Sequence, residues 1–146
     1  MLNIAVITPY YKESIKQLDK CHKSVLAQGP NVTHFFISDG IPNTILDTWN
    51  CVHIKLPFSS QDYGDTPRGI GAAIASTQEY DGICFLDADN WYNPEHIPNI
   101  RKTYEQYKTP VISTSRYLYL KENEQFLGLC PECDGVNFVD TSCYFF

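Results

Sequence analysis

The chain has 146 residues, of which 43% are hydrophobic, 14% aromatic and 19% charged, and its formal net charge is −6. That length suits one domain spanning 1–146 with a real core and leaves no room for a second independent one, and the composition excludes a disordered chain. The 11 Lys and Arg residues are spread thinly, which makes a nucleic-acid backbone a poor partner, whereas acidic sites holding a divalent cation suit the balance.

Met1-Leu2-Asn3-Ile4 lacks the basic and apolar regions of a secretory signal, and no stretch approaches the ~18 apolar residues of a membrane span. Six cysteines, at positions 21, 51, 84, 130, 133 and 143, are scattered over a chain too large to need staples. They read as reduced thiols, and a cytoplasmic location is expected.

The β-branched run Asn3 to Thr8, stopped by Pro9, predicts a buried first strand. From Glu13 to Gln28, the apolar positions Ile15, Leu18, Val25 and Leu26 fall near helical period, with Gly29-Pro30 as the stop. Val32 to Ser38 and Cys51 to Leu56 predict the next two strands, with a short helix over Pro42 to Trp49 between them. Pro57 to Thr66 reads as a surface loop before a helix that Pro67 starts and that runs to about Tyr80.

Gly82 to Leu86 is continuously apolar, hence a buried strand, and it delivers Asp87-Ala88-Asp89 to its C-terminal end. A helix over Pro94 to about Lys108 follows, then strands over Val111 to Thr114 and Arg116 to Leu120. Lys121 to Gly135 is polar and shows no clear period, and Val139 to Phe146 reads as a last strand. This order predicts a three-layer α/β/α sandwich with a mostly parallel central sheet, in which ligands sit outside the C-terminal strand ends. Thr8-Pro9-Tyr10, Asp39-Gly40 and Asp87-Ala88-Asp89 each follow a strand directly, so the three converge on one edge.

Two carboxylates one residue apart at a strand end reach toward a common site, because strand alternation lapses as the chain leaves the sheet. Such oxygen ligands suit Mg²⁺ or Mn²⁺, which bind through one or two carboxylates and complete their shell with water and substrate phosphates. A cation there would neutralise charge building on a departing diphosphate. The competing reading is a turn, since Asp and Asn favour turns and helix caps. The apolar strand before the pair, and Trp91-Tyr92 and Asn93-Pro94-Glu95 after it, favour the functional reading.

The block from Phe85 to Glu95 resembles glycosyltransferase family 2 of the GT-A fold, whose core reads strand, Leu-Asp-Ala-Asp-Asp, then a helix begun near a proline. Val6 to Lys12 resembles the family's opening strand and nucleotide-contacting loop, and Ile37-Ser38-Asp39-Gly40 its second strand. The resemblance implies a metal-dependent, inverting transfer of a sugar from a nucleotide-diphosphate donor, UDP-type favoured, to an acceptor hydroxyl of a saccharide or other molecule. It implies that Thr8, Pro9 and Tyr10 line the base pocket and that Asp39 accepts a hydrogen bond from a uracil or similar base. Asp87 would face the ribose, and Asp89 the metal and diphosphate, with Asp87 a further metal ligand. Gly64 to Gly71 resembles the Gly-containing helix entry, with Arg68 at the usual arginine, facing diphosphate or merely solvent; Gly69 replaces the family's common asparagine.

Cys130-Pro131-Glu132-Cys133 has the spacing of a zinc half-site or a redox pair. Only Cys143 and His96 offer themselves as further ligands, so two unlinked thiols in a loop is the simplest reading. His22, His34 and His53 fall within helix or strand patterns and read as structural or surface residues.

The last eight residues resemble the family strand that precedes the segment holding the general base, so the acceptor and base portion is expected to be missing. Asp140 is the only acid near the expected place and is the weak candidate base. An apolar final strand invites association, and a second copy of the chain would cover it. A nucleotide-sugar-binding module without turnover is the alternative function. A haloacid-dehalogenase-type phosphatase also uses Asp-x-Asp, but after its first strand, whereas here the motif follows the fourth.

Overall fold

A computed structural model describes Met1 to Phe146. In chain order it runs β1 (Ile4–Tyr10), α1 (Ile15–Leu26), β2 (Val32–Ser38), a 3-10 turn (Thr44–Thr48), β3 (Val52–Lys55), α2 (Asp65–Ser76) and β4 (Gly82–Phe85). Then come α3 (His96–Tyr107), β5 (Ile112–Ser113), β6 (Tyr117–Tyr119), β7 (Phe126–Leu129), a second 3-10 turn (Thr141–Cys143) and β8 (Tyr144–Phe145).

The main sheet has the order β3-β2-β1-β4-β8-β5. β1 pairs in parallel with β2 and β4, and β2 with β3, while β8 is antiparallel to both β4 and β5. The expected mostly parallel sheet is thus present, with an antiparallel extension at one side.

Strand alternation sorts the core into two layers. Ile4 and Val6 of β1 join Cys84 and pack with Cys21 and Val25 of α1 and Ile97 and Ile100 of α3. Ala5 and Ile7 face the other way and pack with Phe35, Ile37 and Ala75 of α2. The result is α1 and α3 on one face and α2 on the other, the three-layer sandwich expected. No helix is long and apolar enough to cross a membrane.

Ser14 starts α1 through a reciprocal pair with Gln17, the side chain of each satisfying a backbone N–H of the other. α2 begins two residues before Pro67 because Asp62 draws in the Thr66 N–H and hydroxyl, at 2.9 and 2.5 Å.

The last third departs most from expectation. Only Tyr144 and Phe145 form strand, because the Asp140 carboxylate caps the turn over Thr141–Cys143 by accepting the Ser142 N–H at 3.0 Å. β8 is not an uncovered edge: it lies between β4 and β5, and Phe145 is buried. Gly82 makes this possible, since a Cβ there would collide with the Phe145 ring. No second copy of the chain is needed to cover that strand. The polar stretch after Lys121 holds β7, which pairs with β6 as a hairpin. That hairpin is tied to the domain by a Lys20–Glu124 ion pair at 2.7 Å and by Trp91 against Tyr119, ring centroids 5.2 Å apart.

Candidate functional site

Pro9, Tyr10, Asp39, Arg68, Asp87 and Asp89 line one cleft of about 570 Å³ at the C-terminal ends of β1, β2 and β4. The parallel sheet explains the convergence, since three strands running in one direction end on one edge.

Asp87 and Asp89 differ sharply in environment. Asp87 Oδ1 accepts a hydrogen bond from Arg68 Nη2 at 2.8 Å, and its N–H donates to Ser142 Oγ at 3.2 Å. Arg68 Nη1 reaches Asp65 at 2.9 Å, which leaves the buried Nε without an acceptor. Asp89 is exposed and takes part in no ion pair or side-chain hydrogen bond. Ala88, between them, is buried against Leu18 and Phe36 and turns the two carboxylates outward.

No group of three or more His, Cys, Asp or Glu side chains is placed to hold a metal ion. What the chain offers a cation is the free Asp89 carboxylate and the remaining oxygen of Asp87. Two carboxylates fit Mg²⁺ or Mn²⁺ where substrate phosphates and water complete the shell.

Asp39 is buried at the back of the cleft. Its Oδ1 accepts from the Ser60 N–H at 2.8 Å and the Ser60 hydroxyl at 2.7 Å, and its Oδ2 from the Ser59 hydroxyl at 3.0 Å. Burial pushes its carboxyl up, but the bonds from Ser60 and Ser59 outweigh this and hold it below the usual carboxylate range. Gly40, at φ +83, lets the loop come this close, because a Cβ there would strike the Ser59 backbone. Asp39 is thus an anchor for the loop over Pro57 to Gly64 as well as a wall of the cleft.

Two of the expected pocket residues sit differently. Thr8 is fully buried and outside the cleft, its Oγ1 2.8 Å from His34 Nε2. The pleat puts it on the same face as Ile4 and Val6, toward α1. Tyr10 reaches the cleft wall but is only 3% exposed. Its ring meets Phe36 edge-on, and its hydroxyl lies 2.6 Å from His53 Nε2 and accepts the Asn43 N–H at 2.9 Å. The free aromatic rings at the cleft are Tyr11 and the fully exposed Tyr63. Neither was singled out from sequence, although a Tyr-Gly pair entering a helix after a strand-end loop is a legible cue.

Asp140, the candidate base, lines neither this cleft nor the neighbouring cavity. Its Oδ2 accepts from Arg116 Nη1 at 2.7 Å while its Oδ1 caps the turn, so both oxygens are committed. That second cavity, of about 590 Å³, opens beside Asn90 and is lined by Trp91, Tyr119, Glu95 and Arg116 among others. The thiols are unlinked, as expected, but Cys130 and Cys133 are joined by Cys143 in one buried cluster.

The fold is a three-layer α/β domain with an acidic, arginine-backed cleft at its parallel strand ends. The chain belongs to glycosyl transferase family 2, whose model matches residues 5–128. Among solved structures, Staphylococcus aureus TarS 1-349 in complex with UDP-GlcNAc is similar at a TM-score of 0.66 and 18% identity, over 84% of this chain and 36% of that one. The UDP complex of the same protein gives the same TM-score, identity and share of this chain, over 37% of its own length. Full TarS is similar at a TM-score of 0.62 and 19% identity, over 90% of this chain and 24% of that one. The chain thus spans about a third or less of the length of these structures, and the likeness at such identity establishes the fold. No curated protein matches it.

Proposed function

We propose that this chain binds a nucleotide-diphosphate sugar, UDP-type favoured, and with Mn²⁺ or Mg²⁺ transfers the sugar to an acceptor hydroxyl, with inversion. The observation that carries the reading is the contrast at the end of β4. Asp87 is held by Arg68, while Asp89 stands free and exposed two residues on. A carboxylate without a partner beside an arginine with an unused N–H suits a ligand that brings both phosphate oxygens and a cation. The solved TarS complexes with UDP and UDP-GlcNAc are of a protein of the same fold, which supports a uridine nucleotide donor here.

Asp89 and Asp87 would hold the cation, which when bound supplies charge neutralisation for the departing diphosphate. Arg68 would bind a phosphate oxygen and keep Asp87 oriented. Asp39, kept ionised by Ser59 and Ser60, presents an acceptor for a base N–H. The neighbouring cavity, with Trp91 and Tyr119 in its wall, is the place for the acceptor, since aromatic faces suit the apolar faces of sugars.

Calorimetry with UDP, with and without Mn²⁺, and a coupled assay for UDP release from several nucleotide sugars test the reading. Mn²⁺-dependent UDP binding that Asp89→Asn abolishes is expected, together with UDP release. Binding without release of UDP would mark a binding module instead, and absence of binding would end the proposal.

A further inference from the structure

Cys130, Cys133 and Cys143 form a buried cluster with Leu118 and Val139 packed against it. They lie after residue 128, beyond the span that the family model matches. The Sγ atoms of Cys133 and Cys143 are in contact at 3.7 Å. Cys130 Sγ accepts the Cys133 N–H at 3.4 Å and a guanidinium N–H from Arg116 at 3.6 Å, and Cys133 Sγ accepts the Asp140 N–H at 3.2 Å. Cys143 follows Ser142, whose hydroxyl accepts the Asp87 N–H of the cleft.

We propose that Cys130, Cys133 and Cys143 are a thiol–disulfide relay whose end product, a Cys133–Cys143 disulfide, weakens ligand binding at Asp87 and Asp89. The three thiols have different parts. The Cys133 N–H and Arg116 stabilise negative charge on Cys130 and lower its thiol below the ordinary value, whereas burial pushes Cys143 up to about 12. Cys130, 6% exposed where Cys133 is fully buried, is therefore the attacking group. Its thiolate attacks a small-molecule disulfide such as oxidised glutathione, forming a mixed disulfide and releasing one thiol. Cys133 then attacks Cys130 Sγ and expels the second thiol. Cys143 next attacks Cys133 Sγ, its proton passing to the departing Cys130. Overall two protein thiols are oxidised to one disulfide, and one glutathione disulfide is reduced to two thiols.

A disulfide requires an Sγ–Sγ distance of about 2.05 Å, so the 3.7 Å contact must close and draw Cys143 toward Cys133. Ser142 moves with it, and the hydroxyl that holds the Asp87 N–H is displaced. The link itself stands on the sulfur geometry alone. Its effect on the cleft rests on the nucleotide reading above.

The test equilibrates the full chain with reduced and oxidised glutathione, traps remaining thiols by alkylation and maps cross-linked peptides under non-reducing digestion. UDP affinity is measured on both forms. A Cys133–Cys143 peptide, slowed in its formation by Cys130→Ser and abolished by Cys143→Ser, is expected. So is a several-fold weaker UDP affinity in the oxidised wild type, with the affinity of Cys143→Ser unchanged by oxidation. Full alkylation of all three thiols, a cross-link confined to Cys130–Cys133, or equal UDP affinity in both forms would overturn the proposal. If reduced protein binds no UDP, the nucleotide reading has failed while the peptide map still decides the relay.

Discussion

Arg68 Nη2, on α2, lies 2.8 Å from Asp87 Oδ1 at the end of β4, while Arg68 Nη1 holds Asp65 at 2.9 Å. One guanidinium thereby links the start of a helix to the carboxylate of a strand end, and it turns Asp87 into the cleft. Removing it frees Asp87 to rotate and, on the proposed reading, takes away a hydrogen-bond donor to phosphate. Arg68→Ala should weaken UDP binding by about tenfold, some 1.4 kcal/mol, and Arg68→Lys should restore only part because a point charge cannot fork. Calorimetry reads both, and an affinity for Arg68→Ala equal to wild type would remove Arg68 from the site.

Asp89 is exposed and has no protein partner, so its replacement should separate function from stability. Asp89→Asn should lose the Mn²⁺-dependent part of UDP binding while its unfolding free energy stays within about 0.5 kcal/mol of wild type. A large loss of stability would show that the side chain has a structural task.

Asp39 has a folded-state value below its ordinary one, so its stabilisation is fully present above the unfolded value near pH ~4 and is lost as pH falls through the lower folded value. Asp39→Asn should cost about 1–2 kcal/mol at neutral pH by weakening three hydrogen bonds, and should flatten the acid side of the stability profile. Denaturant melts between pH 7 and pH 3 check it; parallel profiles for wild type and variant would contradict the assignment.

His34 lies between Thr8 and His22, its Nδ1 2.9 Å from His22 Nδ1, with both rings buried. Burial lowers both histidines, and His22 lowers His34 further; burial also brings His96 to about 4. Because the folded values lie below the unfolded ~6.5, the unfolded chain takes up more protons as pH drops. Stability should therefore hold above pH ~6.5 and decline below it, by up to ~1.4 kcal/mol per pH unit for each histidine. His34→Gln should reduce the slope, and thermal melts at pH 7.5, 6 and 5 measure it. A flat profile would count against neutral rings at His22, His34 and His96.

Phe145 fills the space that Gly82 leaves and packs in the same core as Cys84 and Ile112. Phe145→Ala should cost about 3–5 kcal/mol, and hydrogen exchange should rise in β5 and β4, its two neighbours. Loss of protection confined to the last three residues would show that β8 is dispensable.

The strands β1, β2 and β4, the three helices and the acidic pair were legible from sequence, because hydrophobic period and turn residues act over a few positions. The cleft was legible only in outline. That Thr8 turns toward α1 while Pro9 faces the cleft is a matter of strand phase, and strand phase is fixed by which neighbours pack on each face. Tyr10 reads as a free ring until Phe36 and His53, from two other strands, are seen to hold it.

The C-terminal third shows the division most clearly. Local composition by itself determined that the chain closes on the apolar run Cys143 to Phe146 and that Cys130 and Cys133 form a close pair. Only the tertiary structure decided that Phe145 enters the sheet beside Gly82, that Asp140 is committed to Arg116, and that Cys143 meets Cys133. Each of these depends on contacts between residues distant along the chain, and such pairings are set by the shape of the packed core, which spacing in the sequence does not encode.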